Sequence, residues 1–164
     1  MKRKILTITL CVALLFALTF SLASCSSVQT FTVGNLSIDL NSTYFDATSI
    51  IPVGEEVELF ASYLSLVDGL VVIPTFAPDT YDNLTMDEYV DAYADLIDGV
   101  VSYYQDDIPV INYEQAAEDY VFSVEAYVFE DDGGFWVVAF MNIFGDIGEK
   151  GETITGYVDS IVIE

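Results

Sequence analysis

The sequence predicts an α+β domain: a mostly antiparallel sheet with one main helix and a short C-terminal helix packed on its faces. Three observations point there. One apolar stripe with helical spacing starts at Met86. Several shorter segments alternate apolar and polar residues between glycine-containing turns. One segment, Phe135 to Phe144, is apolar on both faces and therefore needs cover on both sides.

Thr30 to Leu40 reads as a small hairpin. Phe31 and Val33 alternate with polar residues, Gly34-Asn35 is a two-residue turn, and Leu36, Ile38 and Leu40 alternate again. Asn41 to Glu56 has no period and reads as a loop. Val57 to Tyr63 and Leu70 to Phe76 read as two strands joined at Asp68-Gly69, with Pro74 placing the second near a sheet edge or at a bulge.

The main helix begins with a capping box, Thr85 followed by Glu88. Met86, Tyr89, Val90, Tyr93, Ile97, Val101 and Tyr104 form its apolar stripe. Asp87, Asp91, Asp95 and Asp98 form a second stripe on the other side. Like charges four apart cost a few tenths of a kcal/mol each, and Asp98 late in the helix opposes its dipole. Core packing explains Tyr89, Tyr93 and Tyr104 better than sugar stacking does; Tyr103 is off the stripe.

Beyond Pro109, Val110 to Tyr113 reads as a short strand. Tyr120 to Phe129 and Phe135 to Phe144 read as a hairpin across Asp131-Asp132-Gly133-Gly134. Gly145 to Glu152 reads as an acidic loop, Thr153 to Asp159 as a short helix and Ser160 to Glu164 as a closing strand. This order is similar to the PsbP-like fold, which is shared by an extrinsic photosystem II subunit, small Ran-binding proteins and short bacterial lipoproteins. The residues that carry the resemblance are Phe31 to Leu40, the helix start Leu84-Thr85-Met86-Asp87-Glu88-Tyr89, the Tyr120 to Phe144 hairpin and the ending Asp159-Ser160-Ile161-Val162-Ile163. It implies a layered sandwich with binding or adaptor roles and no shared catalytic residues.

The N-terminus has a different character. Lys2, Arg3 and Lys4 precede an apolar run from Ile5 to Ala23, which ends at Leu22-Ala23-Ser24-Cys25. This resembles the lipobox of bacterial lipoprotein signal peptides. The resemblance implies cleavage after residue 24 and acylation of Cys25. The expected organisation is a signal peptide at 1–24, a lipidated tether at 25–29 and the domain at 30–164. The competing reading is an uncleaved membrane-spanning helix, which Thr7, Thr9, Thr19 and Ser21 dilute. The expected address is the extracytoplasmic face of a cell membrane.

Removing residues 1–24 leaves 140, enough for one domain with a real core. Cys11 leaves with the leader and Cys25 takes the lipid, so no disulfide or thiol nucleophile remains. There is no His, which excludes a Ser-His-Asp triad. Lys150 in the Gly148 to Glu152 segment is the only base after Lys4, and it faces 27 Asp and Glu, a formal charge of −26. Such a field repels nucleic acid and draws cations and basic partners. It also keeps an aromatic-rich chain soluble.

The expected function is therefore a non-catalytic acidic binding or adaptor module on the cell envelope. Its candidate surface is Asp87, Asp91, Asp95 and Asp98, suited to a basic protein, peptide or cation. A cation- or small-ligand-binding role is the alternative. Its weak oxygen-ligand candidates are Glu130, Asp131 and Asp132, and Asp146 with Glu149 and Glu152; calcium is the one cofactor they would suit. A small carboxylate hydrolase stands third, since 27 carboxylates supply pairs by chance. The sequons at Asn35, Asn41 and Asn83 read as coincidental in a bacterial protein.

Overall fold

The computed structural model describes residues 27–51, 59–78, 84–105, 107–117 and 120–164. The signal peptide, Cys25, the strand start at Val57 and the Asn83 sequon lie outside these residues.

In chain order come β1 (Val28–Val33), β2 (Leu36–Asn41), β3 (Phe45–Asp46), β4 (Leu59–Phe60), β5 (Tyr63–Ser65), β6 (Leu70–Pro78), α1 (Met86–Ile97), β7 (Val100–Tyr104), β8 (Ile108–Ala117), β9 (Tyr120–Asp131), β10 (Gly134–Asn142), a 3-10 helix (Ile147–Lys150), α2 (Gly151–Val158) and β11 (Val162–Ile163). The small sheet has order β1-β2-β11. The large sheet runs β3-β5-β6-β10-β9-β8-β7, and β4 also pairs with β6. Every pairing described is antiparallel.

The doubly apolar strand β10 organises the layers. Phe135 and Val137, with Ala139, face a core that α1 closes through Val90 and Ala94, over a floor of Ile111, Ala126 and Val128. Trp136, Val138 and Phe140 face the other core, which the small sheet closes through Leu36, Ile38 and Leu40, and α2 through Ile154 and Val158. Helix, sheet, and sheet plus helix form three layers, because neither face of β10 tolerates water.

Both predicted hairpins are present. β1 and β2 meet at Val33–Leu36 around Gly34, whose φ is +58°. β9 and β10 meet at Asp131–Gly134 around Gly133, whose φ of +85° favours glycine. Pro74 stands inside the sheet, opposite the break between β4 and β5. Its carbonyl accepts from Ala61 N–H on that side (3.1 Å), so its missing N–H falls where the partner strand is interrupted.

Six expectations need correction. The helix stops at Ile97, and Asp98 caps its C-terminus with φ +55°. Val101 and Tyr104 therefore belong to β7 and pack into opposite cores. Gly99 allows the turn, because a Cβ there would lie 2.5 Å from Ile111 Cγ2. The loop after Asn41 contains β3, paired to β5, and β4 and β5 stand where one strand was expected. β8 is longer than Val110 to Tyr113. β10 ends at Asn142, leaving Phe144 exposed rather than on a strand face. The Gly145 to Glu152 segment is mostly helical, since Ile147 is buried and anchors it.

Candidate functional site

The outer face of α1 is set by its inner one. Val90 and Ala94 are buried, and Met86, Tyr89, Tyr93 and Ile97 pack beside them on the sheet. At 3.6 residues per turn that places Asp87, Asp91 and Asp95 outward, and all three are exposed. They rise along the helix in steps of about 6 Å. Asp98 is exposed as well, but it belongs to the left-handed cap and not to the helical stripe. Its own backbone N–H bonds to the Ala94 carbonyl. At the other end Glu88 closes the predicted capping box with Thr85. Two hydrogen bonds from Thr85 hold the Glu88 carboxyl below its ordinary pKa.

Sequence reasoning missed what borders this face. Leu96, 79% exposed, flanks it one residue after Asp95. β7 is the end strand of the large sheet and, among the described residues, pairs only with β8. Val100 and Tyr103 on β7 are exposed too. Strand alternation puts Tyr103 on the side of Val101, which is the side that α1 covers. Acidic helix face and exposed leucine thus run into a strand that, among the described residues, has an unpaired outer edge. The Asp98-Gly99 pair was the one available signal that a strand follows the helix there.

The tyrosines of α1 are core residues, as the stripe implied. Tyr89 stacks on Phe135 at 4.2 Å between ring centroids and on Tyr93 at 6.0 Å. Burial pushes the phenol pKa of both above its ordinary value. Tyr104 packs on the opposite side of the sheet, and its hydroxyl donates to Asp159 Oδ1 at 2.8 Å.

The oxygen-ligand candidates are dispersed. Among the described residues no three acidic, His or Cys side chains converge in a way that would hold a metal. Asp131 is committed elsewhere. Its Oδ2 accepts from Asn35 Nδ2 (2.9 Å) and Trp136 Nε1 (3.1 Å), and its Oδ1 from Asp132 N–H (2.7 Å). Asn35 Nδ2 also donates to the Glu164 carbonyl, so this carboxylate ties both hairpin turns to the C-terminus. Glu130 and Asp132 are exposed beside it. Asp146 caps the 3-10 helix through Gly148 N–H at 2.8 Å, while Glu149 and Glu152 are exposed.

The donors, Asn35 first, hold the Asp131 carboxyl below its ordinary 3.8. A depressed carboxylate stabilises the fold above its unfolded pKa, and that contribution is lost as pH falls through the folded one. Wild type should therefore melt higher than Asp131→Asn near pH 7, and the gap should close below about pH 4. Comparing the two melting temperatures at each pH cancels the charge repulsion both proteins share. A gap that persists at low pH would contradict this role for Asp131.

A groove of about 490 Å³ runs between β1–β2 and α2, lined by Val28, Asp39, Leu40, Asn41, Tyr157 and Ser160 among others. Asn41 Nδ2 donates to Asp68 Oδ2 (2.6 Å) and to the Tyr157 hydroxyl (3.0 Å). Tyr44 packs edge-on against Tyr157, and its hydroxyl is buried. Burial, then the neighbouring Tyr157 and Asp68, push that phenol far above its ordinary pKa. The sequons at Asn35 and Asn41 are thus structural amides, both engaged inside the fold.

No family model and no curated protein sequence matches the chain. Solved structures do. The solution structure of cyanobacterial PsbP (CyanoP) from Synechocystis sp. PCC 6803 aligns with a TM-score of 0.56 at 9% identity, over 86% of this chain and 95% of that one. A point mutant of the protein Mog1 aligns with a TM-score of 0.51 at 8% identity, over 84% of this chain and 96% of that one. At such identities the likeness concerns the backbone alone, and the architecture it shows is the PsbP-like α+β fold.

Proposed function

We propose that this chain is a lipid-anchored extracytoplasmic protein whose domain is a non-catalytic binding or adaptor module working through an acidic surface. The observation that carries the reading is the outer face of α1. There Asp87, Asp91 and Asp95, with Asp98 beyond them, are exposed beside Leu96 and the free edge of β7. Carboxylates select a basic partner, the exposed leucine and tyrosine add apolar contact, and a strand edge unpaired among the described residues accepts an extended segment. The absence of His and of any Cys after Cys25 supports a binding role over a hydrolytic one.

The test is in-cell crosslinking of the tagged full-length chain beside a variant with Asn at Asp87, Asp91, Asp95 and Asp98. Asparagine tolerates the left-handed cap at position 98, so the variant keeps its fold. One envelope protein captured by wild type and several-fold less by the variant is the expected outcome. Equal capture by both would return the stripe to an ordinary solvated helix face.

The groove beside α2 favours a second reading, a small polar ligand or cation held near Asp39, Asn41 and Tyr157. It requires thermal stability to rise with millimolar calcium or a polyamine, and not with sodium chloride of matched ionic strength.

A further inference from the structure

We propose that the pole from which the N-terminal tether leaves the domain lies in the lipid bilayer surface, with Leu66, Val67, Val121 and Phe144 entering the headgroup–acyl boundary. The proposal rests on the lipid-anchored reading and adds to it the face that meets the membrane.

The exit of the tether is fixed by hydrogen bonds. Val28 pairs with Asn41, and Ser42 N–H donates to the Ser27 carbonyl at 2.8 Å. Asn41 Nδ2 donates to Asp68, which ties this exit to the turn between β5 and β6. That turn presents Leu66 at 61% and Val67 at 77% exposure. Its Gly69 lies so close under Phe144 that a Cβ would come within 2.5 Å of the ring, and the Gly69 carbonyl accepts from Ile143 N–H at 2.8 Å. Phe144 itself is 71% exposed. Val121, the second residue of β9, lies beyond the last β9–β10 pair, Met141–Val124, at the same end of the sheet, and is exposed as well. Bulky apolar side chains rarely gather in water without a partner.

Tether length identifies the partner. Cys25 and Val28 are three residues apart, a reach of about 10 Å when fully extended. An acylated Cys25 therefore keeps this pole at the headgroup level. Asp68 is engaged by Asn41 and Tyr157, Asp146 caps the 3-10 helix, and Lys150 ends that helix next to the exposed Glu149 and Glu152. The opposite pole carries Asp131, Asp132 and Glu164 at the hairpin turns and the C-terminus, with Asp87 and Glu88 at the start of α1 nearby, where Tyr89 stacks on Phe135. The nine residues of β10 separate the two poles by about 30 Å, several Debye lengths at physiological salt. At that separation the carboxylates of the far pole are screened from the headgroups.

Because acylation occupies Cys25 and cleavage removes Cys11, single cysteines introduced elsewhere are the only thiols. Full-length chains carrying Val67→Cys, Val121→Cys or Asp132→Cys would be labelled with a polarity-sensitive fluorophore. They would then be reconstituted into phosphatidylglycerol–phosphatidylcholine vesicles with nitroxide-bearing acyl chains. Labels at 67 and 121 should shift to the blue and lose most of their emission to the nitroxide, and the label at 132 should do neither. If all three stay wet on chains that float with the vesicles, the membrane-facing pole is overturned while anchoring stands. Blue-shifted labels that the lipid nitroxide leaves unquenched mean a protein or a second copy covers the patch, which also overturns it. Chains that do not float with the vesicles overturn the anchoring and this orientation with it.

Discussion

Replacing Trp136 with alanine should remove about 3–5 kcal/mol of stability, enough to unfold much of the population at physiological temperature. Trp136 is fully buried and is the single tryptophan of the chain. Its ring fills the core between the sheets, tilted against Phe76 at 5.2 Å. Its Nε1 donates to Asn35 Oδ1 and Asp131 Oδ2, at 3.2 and 3.1 Å. Truncation leaves a cavity and also deprives a polar junction of its donor, an added cost of about 1 kcal/mol or more. Trp136→Phe loses the N–H but only part of the ring volume, so it sits between wild type and alanine. The expected order of urea midpoints, followed by far-UV circular dichroism, is wild type, then Phe, then Ala by a wide margin. An alanine variant within about 1 kcal/mol of wild type would show that the β1–β2 turn, β9–β10 turn and C-terminus hold together without this residue.

What could be read in advance follows the range of the interaction involved. β10 announced both cores, because a strand apolar on two faces can stand only between two layers. Gly34, Gly133 and the Thr85–Glu88 box each encode one local backbone event. The helix end was misread because Ile97, Val101 and Tyr104 continue a spacing of four and three. The same residues also satisfy a turn at Asp98-Gly99 followed by a strand rich in Val and Tyr. β3 and β4 are two residues long and carry no period at all. The candidate surface was half legible. Carboxylates on α1 follow from helical spacing, whereas the free edge of β7 and the exposure of Leu96 exist only once the sheet has an order. Asn35 and Asp131 meet across 96 residues, and no pattern in the chain links them. Asp131, a weak cation ligand on composition, is thereby a structural acceptor.

Cys25→Ser should eliminate covalent fatty acid from the protein entirely, and this outcome decides between the two readings of the N-terminus. If Cys25 is the acylation site, wild type incorporates an alkyne fatty acid in cells. Its intact mass is then that of a 140-residue chain from Cys25 plus acyl groups. Two or three chains at about 0.8 kcal/mol per buried methylene hold it on the membrane where one chain would be marginal. That margin matters here more than for a neutral domain. The 27 carboxylates after Cys25 face a single lysine, so the domain itself is repelled by anionic lipid and has no electrostatic second anchor of its own. The competing reading makes the opposite forecast for both observables. Ile5 to Ala23 would span about 28 Å as a helix, just enough for the hydrocarbon core. Wild type would then keep the full 164-residue mass without fatty acid, and the serine variant would be indistinguishable from it. Among the described residues no helix is long and apolar enough to cross a membrane.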